Sequence, residues 1–194
     1  MLFKGARPIP PKAKITEKEI INAAVQLVRE QGAGSLNARA LANCLGCSTQ
    51  PIFSNFASME EVLSAVIRRA NELYNAYLKE EISGDKYPPY KASGMGYIRF
   101  AREEKELFKL LFMRDRSYEP MTMEFKRDPV IEITQKATGY SYEKAERFHL
   151  EMWVVVHGIA SMIATNYLDW DMEMASGVLT DMYMGLRMRF DSEV

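Results

Sequence analysis

The side chains able to do chemistry fall into four groups. Ser48-Thr49-Gln50-Pro51 is a polar run placed just after Gly46 and just ahead of the apolar Ile52. Backbone amides and hydroxyls at the start of a helix suit phosphate. Glutamine pairs bidentately with adenine, and threonine or proline meets a thymine methyl. Trp153 and His157 stand i, i+4, so they share one helix face, and Gly158 follows. His157 lies among Val154, Val155, Val156 and Ile159. A buried imidazole there needs a hydrogen-bond partner, which either the protein or a ligand supplies. Cys44-Leu45-Gly46-Cys47 is a C-x-x-C. A metal would need further soft ligands, and the chain has only these two Cys and two His. A structural role is therefore expected for the pair, with a thiol switch at the turn as the functional alternative. Glu80-Glu81 and Glu103-Glu104 are paired carboxylates, expected to be solvated faces rather than an acid–base couple. With no Gly-rich phosphate loop and no nucleophile elbow, the expectation is that the chain is not an enzyme and carries no cofactor.

The elements that must position these groups are helices. Thr16 and Glu19 form a capping box for a helix over 16–31, with Ile20, Ala23, Ala24, Leu27 and Val28 on one face. Gly32 and Gly34 stop it. Asn37 caps a short helix, Ala38–Leu45, ended by Gly46, a turn position that tolerates positive φ. Ser48 is expected to cap a third helix, Thr49–Phe56, with Pro51 in its first turn. Ser58 opens a long helix to about Glu81. After Ser83-Gly84-Asp85 and Pro88-Pro89 the periodicity predicts Tyr90–Glu104, Glu106–Met113, a piece from Met121 to Lys126, and a stretch to Ala137 ended by Gly139. Two long helices close the chain, from Ser141 to about Tyr167 and from Asp171 to about Phe190. No segment shows sustained alternation with β-branched enrichment, so the fold class is all-α, with about nine helices.

The chain has 194 residues, a net charge of −1 and 47% hydrophobic residues. That is enough to bury a substantial core, and too apolar for a disordered chain. Two cysteines suit a reducing compartment. No apolar run approaches the length of a membrane span, and Met1–Lys4 begins no signal-peptide-like stretch. A cytoplasmic protein with no membrane partner is expected. Residues 1–58 hold seven basic and three acidic side chains, a net +4, while residues 59–194 hold 18 and 23, a net −5. The front suits an anionic partner. Lys4, Arg7, Lys12 and Lys14, with Pro8, Pro10 and Pro11, read as a flexible basic arm over 1–14.

A helix, a short helix, a glycine turn and another short helix make a helix-turn-helix, whose second short helix fits the major groove of DNA. Gly46-Cys47-Ser48-Thr49-Gln50-Pro51-Ile52-Phe53-Ser54-Asn55-Phe56, followed by Ser58-Met59-Glu60-Glu61-Val62-Leu63, resembles the signature of the TetR family of transcriptional regulators. Glu19–Ala24 and Leu36–Ala42 match the same family in order and spacing. Phe53 stands where that family usually has Tyr, so a phosphate-contacting hydroxyl is missing; Asn55 replaces His or Tyr; and Met59 replaces the Lys that sits near the DNA backbone. The resemblance implies a DNA-binding domain over 15–58. Asn37, Arg39, Ser48 and Asn55 would meet phosphate, and Thr49, Gln50 and Pro51 would meet bases. Ile20, Ala24, Leu27, Leu36, Leu41, Ala42, Leu45, Ile52, Phe53 and Phe56 would pack.

The same resemblance implies a ligand-binding and dimerisation domain over 59–194. Tyr74, Tyr77, Tyr97, Phe100, Phe108, Phe112, Phe125 and Trp153 supply rings for an apolar pocket. Tyr74, Tyr97, Phe100, Phe112, Trp153 and His157 are the expected ligand contacts, Trp-x-x-x-His-Gly resembling a motif of one subgroup. The last two helices would meet their symmetry mates in a four-helix bundle through Met162, Leu168, Val178, Leu179, Met182, Tyr183, Leu186 and Met188. The function implied is a ligand-responsive repressor that binds a pseudo-palindromic double-stranded DNA operator as a homodimer, its ligand small and apolar. The alternative is a helical protein-interaction module with a degenerate front.

Overall fold

A computed structural model describes residues 15–115 and 129–193. The basic arm, the Met121–Lys126 piece and Phe125 lie outside the described residues. Within them the chain forms nine α-helices and no strand. α1 (Glu17–Gln31) opens on a complete capping box: Glu19 N donates to Thr16 Oγ1 at 3.3 Å, and Thr16 N donates to Glu19 Oε2 at 2.8 Å. The two Thr16 hydrogen bonds hold the Glu19 carboxyl below its ordinary range. α1 turns Ile20, Ala24, Leu27 and Val28 inward, and Gly32, at φ +79°, ends it. α2 (Ala38–Cys44) is capped by Asn37, whose side chain accepts from Arg39 N and Ala40 N. Gly46 adopts φ +61°, and the turn closes through Gly46 N to Asn43 O at 3.1 Å and Cys47 N to Ala42 O at 3.0 Å. That paired geometry satisfies two carbonyls at the end of α2 and aims the chain into α3.

α3 (Gln50–Asn55) begins one residue later than the sequence suggests. Thr49, not Ser48, is its N-cap, and it makes no side-chain capping bond. The reason is local: Thr49 is already in the helical region, at φ −72° and ψ −13°, so the hydroxyl geometry of an extended cap is missing. α4 (Met59–Ser83) is the long connector, capped by Ser58 and closed back by Ala57 N donating to Glu61 Oε2 at 2.6 Å. α5 (Pro89–Glu103) and α6 (Lys105–Phe112) meet at an elbow on Glu104. α7 (Val130–Thr138) ends at Gly139, φ +77°. α8 (Tyr142–Ala164) and α9 (Met172–Ser192) are capped by Ser141 and Asp171. α8 stops before the expected Tyr167 because Asn166 turns to φ +59°, a conformation asparagine tolerates.

One apolar core runs from α1 to α9, and α4 carries it from front to back. α4 and α5 pack most intimately at Gly96, where a Cβ would stand 3.3 Å from Leu78 Cα and from the Tyr77 carbonyl oxygen. Backbone cannot retreat there, so glycine sets the separation of the two helices. Among the described residues, no helix is long and apolar enough to cross a membrane.

Candidate functional site

The front site is built on α3. Ile52 is wholly buried and Phe56 nearly so, and they seat α3 against α1 and α2. Asn55 Nδ2 donates to Pro51 O at 2.7 Å and to Ile15 O at 3.4 Å, tying the end of α3 to the entry of α1. Asn37 also donates to Ser35 O at 3.0 Å, so both asparagines are committed to the chain's own backbone. Ser48 and Gln50 are exposed and Thr49 and Pro51 half-buried. Among the described residues, no side-chain hydrogen bond engages Ser48, Thr49 or the Gln50 amide, and Arg39 is exposed without an ion pair. Phe53 corrects the sequence reading. It is not packed in the core but 50% exposed, standing about a quarter turn round α3 from the buried Ile52. Met59 is half-buried and packs on the core. Cys44 is exposed and Cys47 is half-buried against the core, and among the described residues no three metal-ligating side chains gather.

The second site is an aromatic cluster between α4, α5, α6 and α8. Tyr74 meets Tyr97, Phe100 and Phe112 with ring centroids 5.7, 5.5 and 5.2 Å apart. Tyr97 meets Phe108 at 5.3 Å and Phe112 at 4.9 Å. These are contact distances for edge and tilted rings, so the cluster is closed on itself. Trp153 stacks on His157 at 4.8 Å, nearly parallel. Tyr97 Oη lies 2.9 Å from His157 Nδ1, and Ser161 Oγ lies 3.2 Å from Nε2. Burial pushes the Tyr97 phenol upward and His157 downward, so both are neutral near pH 7. A neutral imidazole carries one N–H, so the ring donates in one of these two contacts and accepts in the other. All six expected ligand contacts are thus brought into one cluster. Ser161, one turn beyond His157, was not singled out by the sequence, although its i+4 spacing was there to see. His149, buried and 3.2 Å from Tyr90 Oη through Nδ1, was also passed over.

The α5–α6 elbow is tied to α1 and to the α8–α9 connection. Arg29 near the end of α1 forms a bidentate pair with Glu104, Nε to Oε2 at 2.7 Å and Nη2 to Oε1 at 2.5 Å. Lys105 Nζ reaches Asn166 Oδ1 at 2.5 Å, and Arg102 reaches the Trp170 carbonyl at 2.7 Å. The carboxylates expected as plain solvated faces are therefore organised. Glu104 holds α1, while Glu80, Glu81 and Glu103 surround Arg99. Tyr77 donates to Glu103 at 2.8 Å, and burial together with that bond pushes its phenol up to about 12.

Several apolar residues of α8 and α9 stand in water: Leu150 and Val154 on α8, and Met174, Met182, Met184 and Met188 on α9. Of the residues expected at a helix-pair seam, Met182 and Met188 are exposed. Leu179 is instead turned into the protomer core, where it stands 3.3 Å from the Cβ position of Gly94.

Residues 90–182 match the family described as the tetracyclin repressor-like C-terminal domain. No curated protein matches the chain by sequence. Among solved structures, the chain is similar to a TetR-like transcriptional regulator from Rhodococcus sp. RHA1, with a TM-score of 0.66, 16% identity, and coverage of 92% of this chain and 96% of that one. It is similar to the multidrug binding protein EbrR, solved with imidazole, with a TM-score of 0.55, 18% identity, and coverage of 84% and 87%. It is also similar to a TetR variant from Acinetobacter baumannii AYE in complex with minocycline, with a TM-score of 0.53, 16% identity, and coverage of 92% and 97%. At these identities the structural likeness speaks for the fold, and the C-terminal match stands behind a helix-turn-helix front. Residues 90–182 thus carry a tetracyclin repressor-like C-terminal domain, and the chain as a whole has the fold of TetR-like regulators.

Proposed function

We propose that this chain is a transcriptional regulator, a ligand-responsive repressor that binds a two-fold operator as a homodimer. The observation that carries the reading is the outward start of α3, where Ser48, Thr49 and Gln50 hold polar groups that the described chain does not use. In a major groove, Thr49, Gln50 and Pro51 meet base edges, while Arg39 and Ser48 meet phosphate. Asn37 and Asn55 shape the backbone that presents them, and a phosphate contact from either would be additional to its intrachain bonds. The exposed apolar residues of α8 and α9 support a dimer, since they gain by meeting a second copy.

The ligand is small and largely apolar, and it enters the cluster of Tyr74, Tyr97, Phe100, Phe112, Trp153 and His157 by parting rings that now touch. EbrR, named a multidrug binding protein, and the Acinetobacter protein, solved with minocycline, support small-molecule binding by a chain of this fold. Parting α5 from α6 would load the Arg29–Glu104 pair and turn α1, altering the spacing of the two reading heads.

The test is a mobility shift with the full chain on duplexes flanking its own gene, with random duplex as competitor. Retention of a two-fold sequence by a dimer supports the proposal. No sequence-selective retention favours the helical protein-interaction module instead.

A further inference from the structure

α3 carries no charged side chain: it reads Gln-Pro-Ile-Phe-Ser-Asn. Guanine is most often read by a bidentate Arg or Lys, and α3 has neither. Its outward residues are Gln50, Phe53 and Ser54. Phe53 stands three residues after Gln50, so the two share a face. A phenyl ring left 50% exposed on this helix adds little to the protomer core, and without a hydroxyl it cannot hydrogen-bond to a phosphate. The apolar groups that a major groove offers such a ring are thymine 5-methyls.

We infer that Phe53 is a base-reading residue whose ring packs on a thymine methyl beside the adenine paired by Gln50, so that each half-site is read at A·T pairs. This rests on the proposed insertion of α3 into the major groove. Gln50 supplies the directional hydrogen bonds and Phe53 supplies shape and apolar contact, which together fix register along the groove without a cation. The non-directional charge needed for affinity then comes from residues off α3, such as Arg39.

The experiment has two steps. The full chain first selects duplexes from a random library. Each thymine of the selected site is then replaced in turn by deoxyuridine, which removes only the 5-methyl. The expected result is one thymine in each half-site whose replacement weakens wild-type binding about four-fold, the worth of roughly one buried methylene-sized group. Phe53→Ala should lose that sensitivity, and Phe53→Tyr, which keeps the ring, should retain it. No sensitive thymine, equal sensitivity in wild type and Phe53→Ala, or selected half-sites made of G·C pairs would overturn the inference while leaving operator binding intact. Failure to enrich any sequence would overturn operator binding itself. Should Phe53→Ala fail to fold, Phe53→Gln, a polar residue suited to this half-exposed position, takes its place in the same comparison, and retained sensitivity in it overturns the inference.

Discussion

Replacing Arg29 by Met removes the guanidinium that joins α1 to the α5–α6 elbow while keeping most of the stem's volume. Both Glu104 oxygens lose a charge-assisted hydrogen bond. The Glu104 side chain is only 12% exposed, whereas Arg29 is 34% exposed. Water repays the carboxylate incompletely, so the cost lies above the 0.2–1 kcal/mol or so of an exposed pair and below the 3–5 kcal/mol or so of a fully buried one. About 2 kcal/mol is the expected loss for Arg29→Met, and about 1 kcal/mol for Glu104→Gln, whose amide still accepts one bond. Denaturant unfolding of both single variants and the double variant gives the coupling, expected at about 1–1.5 kcal/mol and reduced in high salt. The same double variant should bind operator DNA but respond less to ligand, since the elbow no longer pulls on α1. A coupling near zero would refute the reasoning: the elbow pair would then be a surface ornament, and apolar packing alone would join the two sites.

The remaining predictions concern the cluster, the seam and the DNA backbone. Burial lowers the His157 pKa below the ordinary 6.5, so the unfolded chain takes up that proton first. Its contribution to stability is full above pH 6.5 and falls as the pH drops from there toward the folded-state value. Melting curves should show a pH slope in that window that His157→Gln reduces, and identical slopes would refute it. Met182→Asp places a charge among the exposed apolar residues of α9 and should convert dimer to monomer in sedimentation, because a buried unpaired charge costs several kcal/mol, roughly 3–5. A variant that stays dimeric moves the seam elsewhere. Met59→Lys should raise DNA affinity on all sequences and steepen its salt dependence by about one unit of slope. An unchanged slope means position 59, which packs partly on the core, does not face phosphate.

Much of the framework was legible because it is written in local signals. The Thr16–Glu19 box, the Asn37, Ser58, Ser141 and Asp171 caps, and the glycines at 32, 46 and 139 act within a few residues of their own helix. Phe53 was misjudged because a six-residue helix gives too little periodicity to separate its faces, and only packing against α1 and α2 decides which side is inward. The Arg29–Glu104 pair joins residues 75 positions apart, and nothing local marks Glu104 off from Glu103 beside it. The Trp153–His157–Ser161 ladder follows helix spacing, but that Tyr97 is the partner of His157 depends on how α5 crosses α8. The Leu179 side chain was assigned to the outer seam for the same reason: α9 is apolar on two sides, and the tertiary fold chooses between them.

The most direct test of sequence reading by α3 is the affinity of Gln50→Ala on the selected operator and on random duplex at one fixed salt concentration. Loss of the bidentate adenine pair should cost about 1–3 kcal/mol on the operator and almost nothing on random DNA, collapsing the ratio between them. Equal losses on both duplexes, or none on either, would contradict base recognition by this helix.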